Sequence, residues 1–243
     1  MKEKFCTNCG TAVEEGKSFC TKCGNNIIQD VDIQASPVIE STEKKVHEES
    51  RGAMQHLTLG FNVALNNPMV FLPAILSGVI SLILSYSYNS TSTLGTLVMI
   101  LGLVGTVISF ILSFASIDMS RDAYDKQPLN LASSISYVFK RIVPFLLASI
   151  FGALLSITIV LIPAVILTFV IMVIDETGIM DAFTKAFNVI KADIVDIIIV
   201  LVVSIAGSFV IGYIPFISTL VNAALNVVIG LAFIDIYMNY KNK

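Results

Sequence analysis

From residue 68 to residue 238, apolar runs of about membrane-spanning length alternate with short polar turns, and this alternation organises the chain. Six runs can be drawn, at about 68–87, 94–117, 143–161, 163–174, 194–213 and 215–237. A helix needs about 20 residues to cross the hydrocarbon core of a bilayer. Four runs meet that length, 143–161 nearly does, and 163–174 is short. As one helix broken at Pro163, residues 143–174 would be about 48 Å long, too long for a core of about 30 Å without severe tilt. A hairpin turning at Leu161-Ile162-Pro163, with a thin or re-entrant second arm, fits better.

Three runs close on the same phrase, Ile117-Asp118, Ile174-Asp175 and Ile234-Asp235. Before each pair of runs lies an amphipathic segment, at 57–67, 129–142 and 180–193. Two of these share a triplet, Phe61-Asn62-Val63 and Phe187-Asn188-Val189, and the middle one has Tyr137-Val138-Phe139 in the similar place. Ala132, Lys140 and Pro163 precede Ala182, Lys191 and Pro215 by about 50 residues. The pattern predicts an all-α polytopic membrane bundle of about six transmembrane helices, built as three repeats of an entry helix plus a hairpin. Entry helices of this kind lie at the membrane surface, apolar side down.

Composition divides the chain. It is 55% hydrophobic and only 14% charged, and the deficit of charge lies almost entirely after residue 56; a soluble domain carries about 25%. Beyond that point every Lys, Arg, Asp and Glu falls near one set of loop ends, whereas 87–94, 161–163 and 212–215 carry none. The positive-inside rule puts the charged side in the cytoplasm. A net charge of −3 gives no reason to expect nucleic acid as a partner. The charged, cysteine-rich N-terminus does not read as a secretory signal. The expected location is the cell membrane, multi-pass, with both termini cytoplasmic.

All four cysteines lie in the first 23 residues. Phe5-Cys6-Thr7-Asn8-Cys9-Gly10-Thr11 is echoed 14 residues later by Phe19-Cys20-Thr21-Lys22-Cys23-Gly24-Asn25, with five of seven positions identical. Two CxxC turns can offer four thiolates to one tetrahedral ion, the arrangement zinc favours. Gly10 and Gly24 suit the positive φ such a turn needs. So short a segment cannot bury a core, and metal binding would supply its folding energy. A redox pair would be expected to open a helix in a βαβ setting, which is absent. Four sulfur ligands leave no open position, so the reading is one structural Zn2+ held by Cys6, Cys9, Cys20 and Cys23, not a catalytic ion. The stretch resembles the short zinc-ribbon heads at the N-termini of many bacterial and archaeal membrane proteins. That resemblance covers about a tenth of the chain and implies zinc binding and a protein-docking role, with no activity.

The expected domains are a zinc ribbon at 1–26, a flexible linker at 27–56 and a multi-pass helical domain at 57–243. The linker mixes Asp, Glu, Lys, Ser and Pro with few large apolar residues, too little to order itself. His47 and His56, the only histidines, read as solvated linker residues because no ligand cluster is spaced to join them.

Three polar residues inside apolar runs are candidates for a membrane site: Asp196, Asn222 and Asn226. A carboxylate in lipid is a functional suspect, but Asp196 lies about one turn from Asp193 and Lys191, where snorkelling or capping would explain it. Asn222/Asn226/Gly230 continues a four-residue spacing of small residues seen in Ser77/Ser81/Ser85 and Gly105/Ser109/Ser113. Such stripes pack helices closely or line a small-solute path. A carboxylate at a helix C-terminus opposes the macrodipole, so Asp118, Asp175 and Asp235 call for partners, for which the basic residues of the entry helices are the candidates.

Residues 173–194 (an acidic helix end, a glycine, an amphipathic helix with alanine and lysine, then another span) resemble the multi-pass domain attached to some glycerophosphodiester phosphodiesterases. The hydrolase part of those proteins, with its His and Glu metal site, has no counterpart, so the resemblance carries over no catalysis. No phosphate-binding glycine loop, serine–histidine–acid set or HExxH is present. The expectation is a non-enzymatic interaction, regulatory or assembly module whose partners are the bilayer and a protein bound through the ribbon. The alternative is a small-solute transporter or channel with a regulatory head.

Overall fold

The computed structural model describes residues 4–5, 12–13, 51–90, 95–214 and 217–243. Two compact units divide at residue 48. In the first, β1 (Lys4–Phe5) pairs antiparallel with β2 (Ala12–Val13), Lys4 opposite Val13 and Phe5 opposite Ala12.

The described residues of the second unit are all-helical or turn. In order they form α1 (Ala53–Asn66), a 3-10 turn (Pro68–Phe71), α2 (Leu72–Ser90), α3 (Gly95–Tyr124), α4 (Leu131–Lys140) and α5 (Ile142–Leu155). A second 3-10 turn (Ile159–Leu161), α6 (Ile162–Ile174), α7 (Ile179–Ala192), α8 (Ile194–Gly212) and α9 (Ser218–Lys241) follow. The three amphipathic segments read from the sequence coincide with α1, α4 and α7.

Local chemistry sets these boundaries. Pro68 cannot continue α1 and opens the 3-10 turn instead. Asn130 caps α4, its side chain accepting from Ser133 N at 3.2 Å. Pro163 sits in the first turn of α6, where its missing N–H costs nothing. α3 ends in a left-handed residue, Lys126 at φ 56°, with Gln127 N donating to Asp122 O and Lys126 N to Ala123 O, the Schellman pattern. Glu176, at φ 53°, follows α6 in the same conformation.

Four helical segments are long and apolar enough to cross a membrane: 68–85, 99–124, α8 and α9. A fifth arises if α4 and α5, bent by 79° at Arg141, count as one. The six expected crossings are therefore only partly matched. α5 has 14 residues and α6 has 13, about 20 Å each against a core of about 30 Å. The apolar run 143–161 does not continue as one helix, because α5 gives way to turns after Leu155.

α3, α6 and α9 pack on one another and form the centre. Every residue of α9 from Leu231 to Tyr237 is buried, as are Val170, Ile171, Met172 and Val173 of α6 and Phe114, Ala115 and Met119 of α3. α8 instead exposes Val195, Ile198, Val202, Ile205 and Phe209 at helical spacing. An exposed stripe of that size on a satisfied helix suits hydrocarbon. α1 packs on α9 at Gly60, where a Cβ would lie 2.7 Å from Val228 O and 3.0 Å from Ala232 N.

Candidate functional site

Cys6, Cys9, Cys20 and Cys23 lie outside the described residues. The described residues nearest them in sequence are the antiparallel pair β1 and β2. The donor set, four thiols in two CxxC turns, fits zinc.

In the second unit Asp118, Asp175 and Asp235 are the centres of polar structure. Asp175 caps the end of α6 as expected, whereas α3 and α9 run on past Asp118 and Asp235 to Tyr124 and Lys241, so these two are not helix-end carboxylates. Asp235 is 0% exposed and accepts three hydrogen bonds: from His56 Nδ1 at 2.6 Å, Arg51 Nη1 at 2.6 Å and Tyr124 OH at 2.7 Å. A carboxylate only accepts, so the proton between His56 and Asp235 sits on Nδ1. His56 is 1% exposed, which corrects its reading as a solvated linker residue. Arg51 and His56 hold the start of α1 to α9, so the helical domain extends to residues N-terminal to 57. His47 lies outside the described residues.

Asp175, at the end of α6, accepts from Lys185 of α7, from Tyr237 OH at 2.5 Å and from Lys241 at 2.8 Å. Burial alone would raise its carboxyl, but these donors outweigh that and hold it at about 2. Asp118 of α3 is paired with Arg121 one turn on, at 2.7 Å. The expected entry-helix partner is thus basic for Asp175 (Lys185). For Asp235 it is His56, with Arg51 just before the helix. For Asp118 the basic partner lies within α3.

Two arginines close α6. Arg141 donates to Met172 O at 2.8 Å, Glu176 O at 2.9 Å and Thr177 O at 2.8 Å, and Arg121 to Val173 O at 3.1 Å. Met172 O and Val173 O are among the carbonyls α6 leaves orphaned at its end, Glu176 O and Thr177 O follow just beyond it, and cations there also complement the dipole.

The intramembrane polar candidates do not form one site. Asp196 accepts from Ala53 N at 2.8 Å and so caps α1. Asn222 and Asn226 of α9 line a separate cavity of about 550 Å³ with Ser77 and Ser81 of α2 and Ser113 and Ser116 of α3. Asn222 Oδ1 is buried there without a hydrogen-bond partner. Sequence reasoning passed over His56, although the buried positions of α1 are Ala53, His56, Gly60 and Ala64. That helical stripe was the signal that could have found it. No group of three or more His, Cys, Asp or Glu among the described residues could hold a metal ion.

Residues 5–27 match the zinc-ribbon domain family, which implies zinc binding for the head. The match covers the head and not the helical block. The comparisons with curated proteins and with solved structures give no match. The chain thus joins a zinc-ribbon head to an all-helical block carrying four or five candidate membrane spans.

Proposed function

We propose that the chain is an integral membrane protein, not an enzyme, whose zinc-ribbon head docks a protein partner, the helical block serving as its anchor and assembly platform. The observation that carries this reading is that the buried Asp235 and the partly buried Asp175 and Asp196 are taken up by structure. Asp235 is bound by three donors, Asp175 by three, and Asp196 by the N-terminus of α1. No free carboxylate of these three is left for proton or ion relay.

We read the block as three copies of an entry helix plus a hairpin: α1 with α2/α3, α4 with α5/α6, and α7 with α8/α9. What supports this is the order of the polar contacts. Two of the three aspartates meet the entry helix of the next copy, Asp175 at Lys185 of α7 and Asp235 at His56 of α1, whereas Asp118 pairs with Arg121 within α3. α3·α4, α6·α7 and α9·α1 pack in the same order. Six crossings with both termini in the cytoplasm of a cell-membrane protein accord with this and with the charge at one set of loop ends. The likeness of 173–194 to the membrane domain of some glycerophosphodiester phosphodiesterases belongs to the same reading.

A second reading, a small-solute path, has its own observation: the polar cavity with the unpartnered Asn222 Oδ1. Comparing full-length chain with a version starting at Ser50, which keeps Arg51 and the α1–α9 contact, separates the two. A partner captured by the first, lost from the second and lost on Cys20→Ser supports the docking head. If both forms retain the same partner, or none, and Asn222→Leu abolishes flux of a small solute, the docking reading is overturned. Metal analysis of the reduced full-length chain should give about one zinc, lost on Cys20→Ser.

A further inference from the structure

Where α6, α7 and α9 meet, a second cavity of about 430 Å³ is lined by Asp175, Lys185, Tyr237, Tyr240, Lys241 and Lys243. Three ammonium groups stand there against two carboxylates: Asp175 takes Lys185 and Lys241, and Asp193 takes Lys243 at 3.1 Å. The charges are sorted by depth. The lysine side chains are 38 to 50% exposed, whereas Asp175 is 7% and Asp193 13% exposed. The anions sit behind and the cations face the opening. An ammonium carries three donors, so each lysine keeps donors beyond those its carboxylate takes. The Tyr240 phenol also lines the cavity, with no hydrogen-bond partner among the described residues.

We propose that this cavity binds a phosphate group, presented by the headgroup of an anionic phospholipid or by a free phosphate compound. Two lysines would neutralise two carboxylates; the third leaves an excess cation facing out. The site also lies where a headgroup would be. The apolar run of α9 passes into Tyr237, Tyr240 and Lys241, the order of residues found at a membrane surface. Basic pockets between helices at that depth are where anionic headgroups lodge. The inference rests on the helical block lying in a bilayer with this end at its surface.

Native mass spectrometry of the full chain, delipidated in detergent and titrated with phosphatidylglycerol or phosphatidylcholine, reads the site. One phosphatidylglycerol should be held with about tenfold preference. Lys241→Gln/Lys243→Gln should bring the two lipids level, and the same pair changed to Arg should keep the preference. Equal binding by the natural chain, or a preference that survives the Gln pair, overturns the proposal. Should the Gln pair misfold, Lys243→Gln alone is read, since it leaves Asp175 fully bound. Millimolar inorganic phosphate separates the sources. Displacement of lipid, with binding that depends on the same lysines, assigns a soluble phosphate; no displacement assigns the lipid. Recovery of the expressed chain in the soluble fraction overturns the membrane reading itself, whatever the lipid result.

Discussion

Gly60 is the position where substitution should speak most directly about the α1–α9 contact. Gly→Ala in an exposed helix interior gains about 1 kcal/mol from backbone entropy alone. At Gly60 that gain is opposed. The new Cβ would lie 2.7 Å from Val228 O, 3.0 Å from Ala232 N and 3.3 Å from Leu231 Cβ, where non-bonded heavy atoms settle at about 3.5–4.0 Å. Two of those atoms are backbone and cannot turn aside, so α1 must back away by several tenths of an ångström. Overpacking of this kind costs about 1–3 kcal/mol. Set against the gain, this leaves a net cost of up to about 2 kcal/mol, so Gly60→Ala is expected to lower the melting temperature by up to about 8 °C, followed by circular dichroism in detergent. Gly102 in α3 supplies the control, because nothing lies within 4 Å of its Cβ position. Gly102→Ala should therefore raise the melting temperature. The retreat of α1 should also loosen His56 from Asp235, since His56 and Gly60 share the buried stripe. In a double-mutant cycle, His56→Gln should cost at least about 0.5 kcal/mol less beside Gly60→Ala than alone. Equal stabilisation by both alanines would refute the close approach, and strict additivity would refute the link to Asp235.

Other sites give further outcomes. Asp175 is held at about 2, below its unfolded value of about 3.9, so its contribution is full above about pH 4 and disappears as the pH falls towards 2. With its partners half-exposed, the contribution is about 1 kcal/mol. The melting temperature of the natural chain should fall more steeply between pH 5 and pH 2.5 than that of Asp175→Asn. Lys126→Gly should stabilise by about 0.5–1 kcal/mol, because glycine adopts the left-handed conformation without the cost lysine meets; a lower melting temperature would contradict the Schellman end of α3. Asp196→Ala should cost about 1 kcal/mol by uncapping α1, whereas a purely lipid-facing carboxylate would give a gain.

Much of the architecture was legible because hydrophobic period is a local property. The amphipathic segments 57–67, 129–142 and 180–193 became α1, α4 and α7, and Pro163 fell in the first turn of α6. The Asp175–Lys185 pair was readable too, because a carboxylate at a helix end requires a cation and the next helix carries one. What the sequence hid depends on distant groups. α1 begins four residues early because Ala53 N finds Asp196 and because Arg51 and His56 find Asp235, 143 to 184 residues away. The 79° bend between α4 and α5 falls at Arg141, whose guanidinium is committed to carbonyls in the last turn of α6 and just beyond it. The local pattern marks a boundary there, between the amphipathic segment 129–142 and the apolar run from 143, but does not give the angle. The two CxxC turns were the most specific signal in the chain, and the zinc-ribbon match falls on them.

Six crossings would require the short α6 to be one of them, beside four or five long helices. The length rule follows from the cost of exposing unpaired backbone to hydrocarbon, and it binds only where a helix end meets lipid. α6 is largely enclosed: Pro163, Ala164, Val165, Leu167 and Thr168 are buried, as are Val170, Ile171, Met172 and Val173. The carbonyls at its C-terminus are bonded by Arg121 and Arg141 inside the protein. A helix so surrounded needs no more than its 13 residues. If α6 crosses, the uncharged turn before it, with Ile157 and Val160 80% and 85% exposed, is expected on the side of the membrane opposite Asp175. A chain with all four head cysteines changed to serine and Thr158→Cys added tests this. In sealed right-side-out vesicles a membrane-impermeant thiol reagent should label that cysteine from outside. Labelling only after the vesicles are opened would make α5 and α6 a re-entrant pair and reduce the crossings to four.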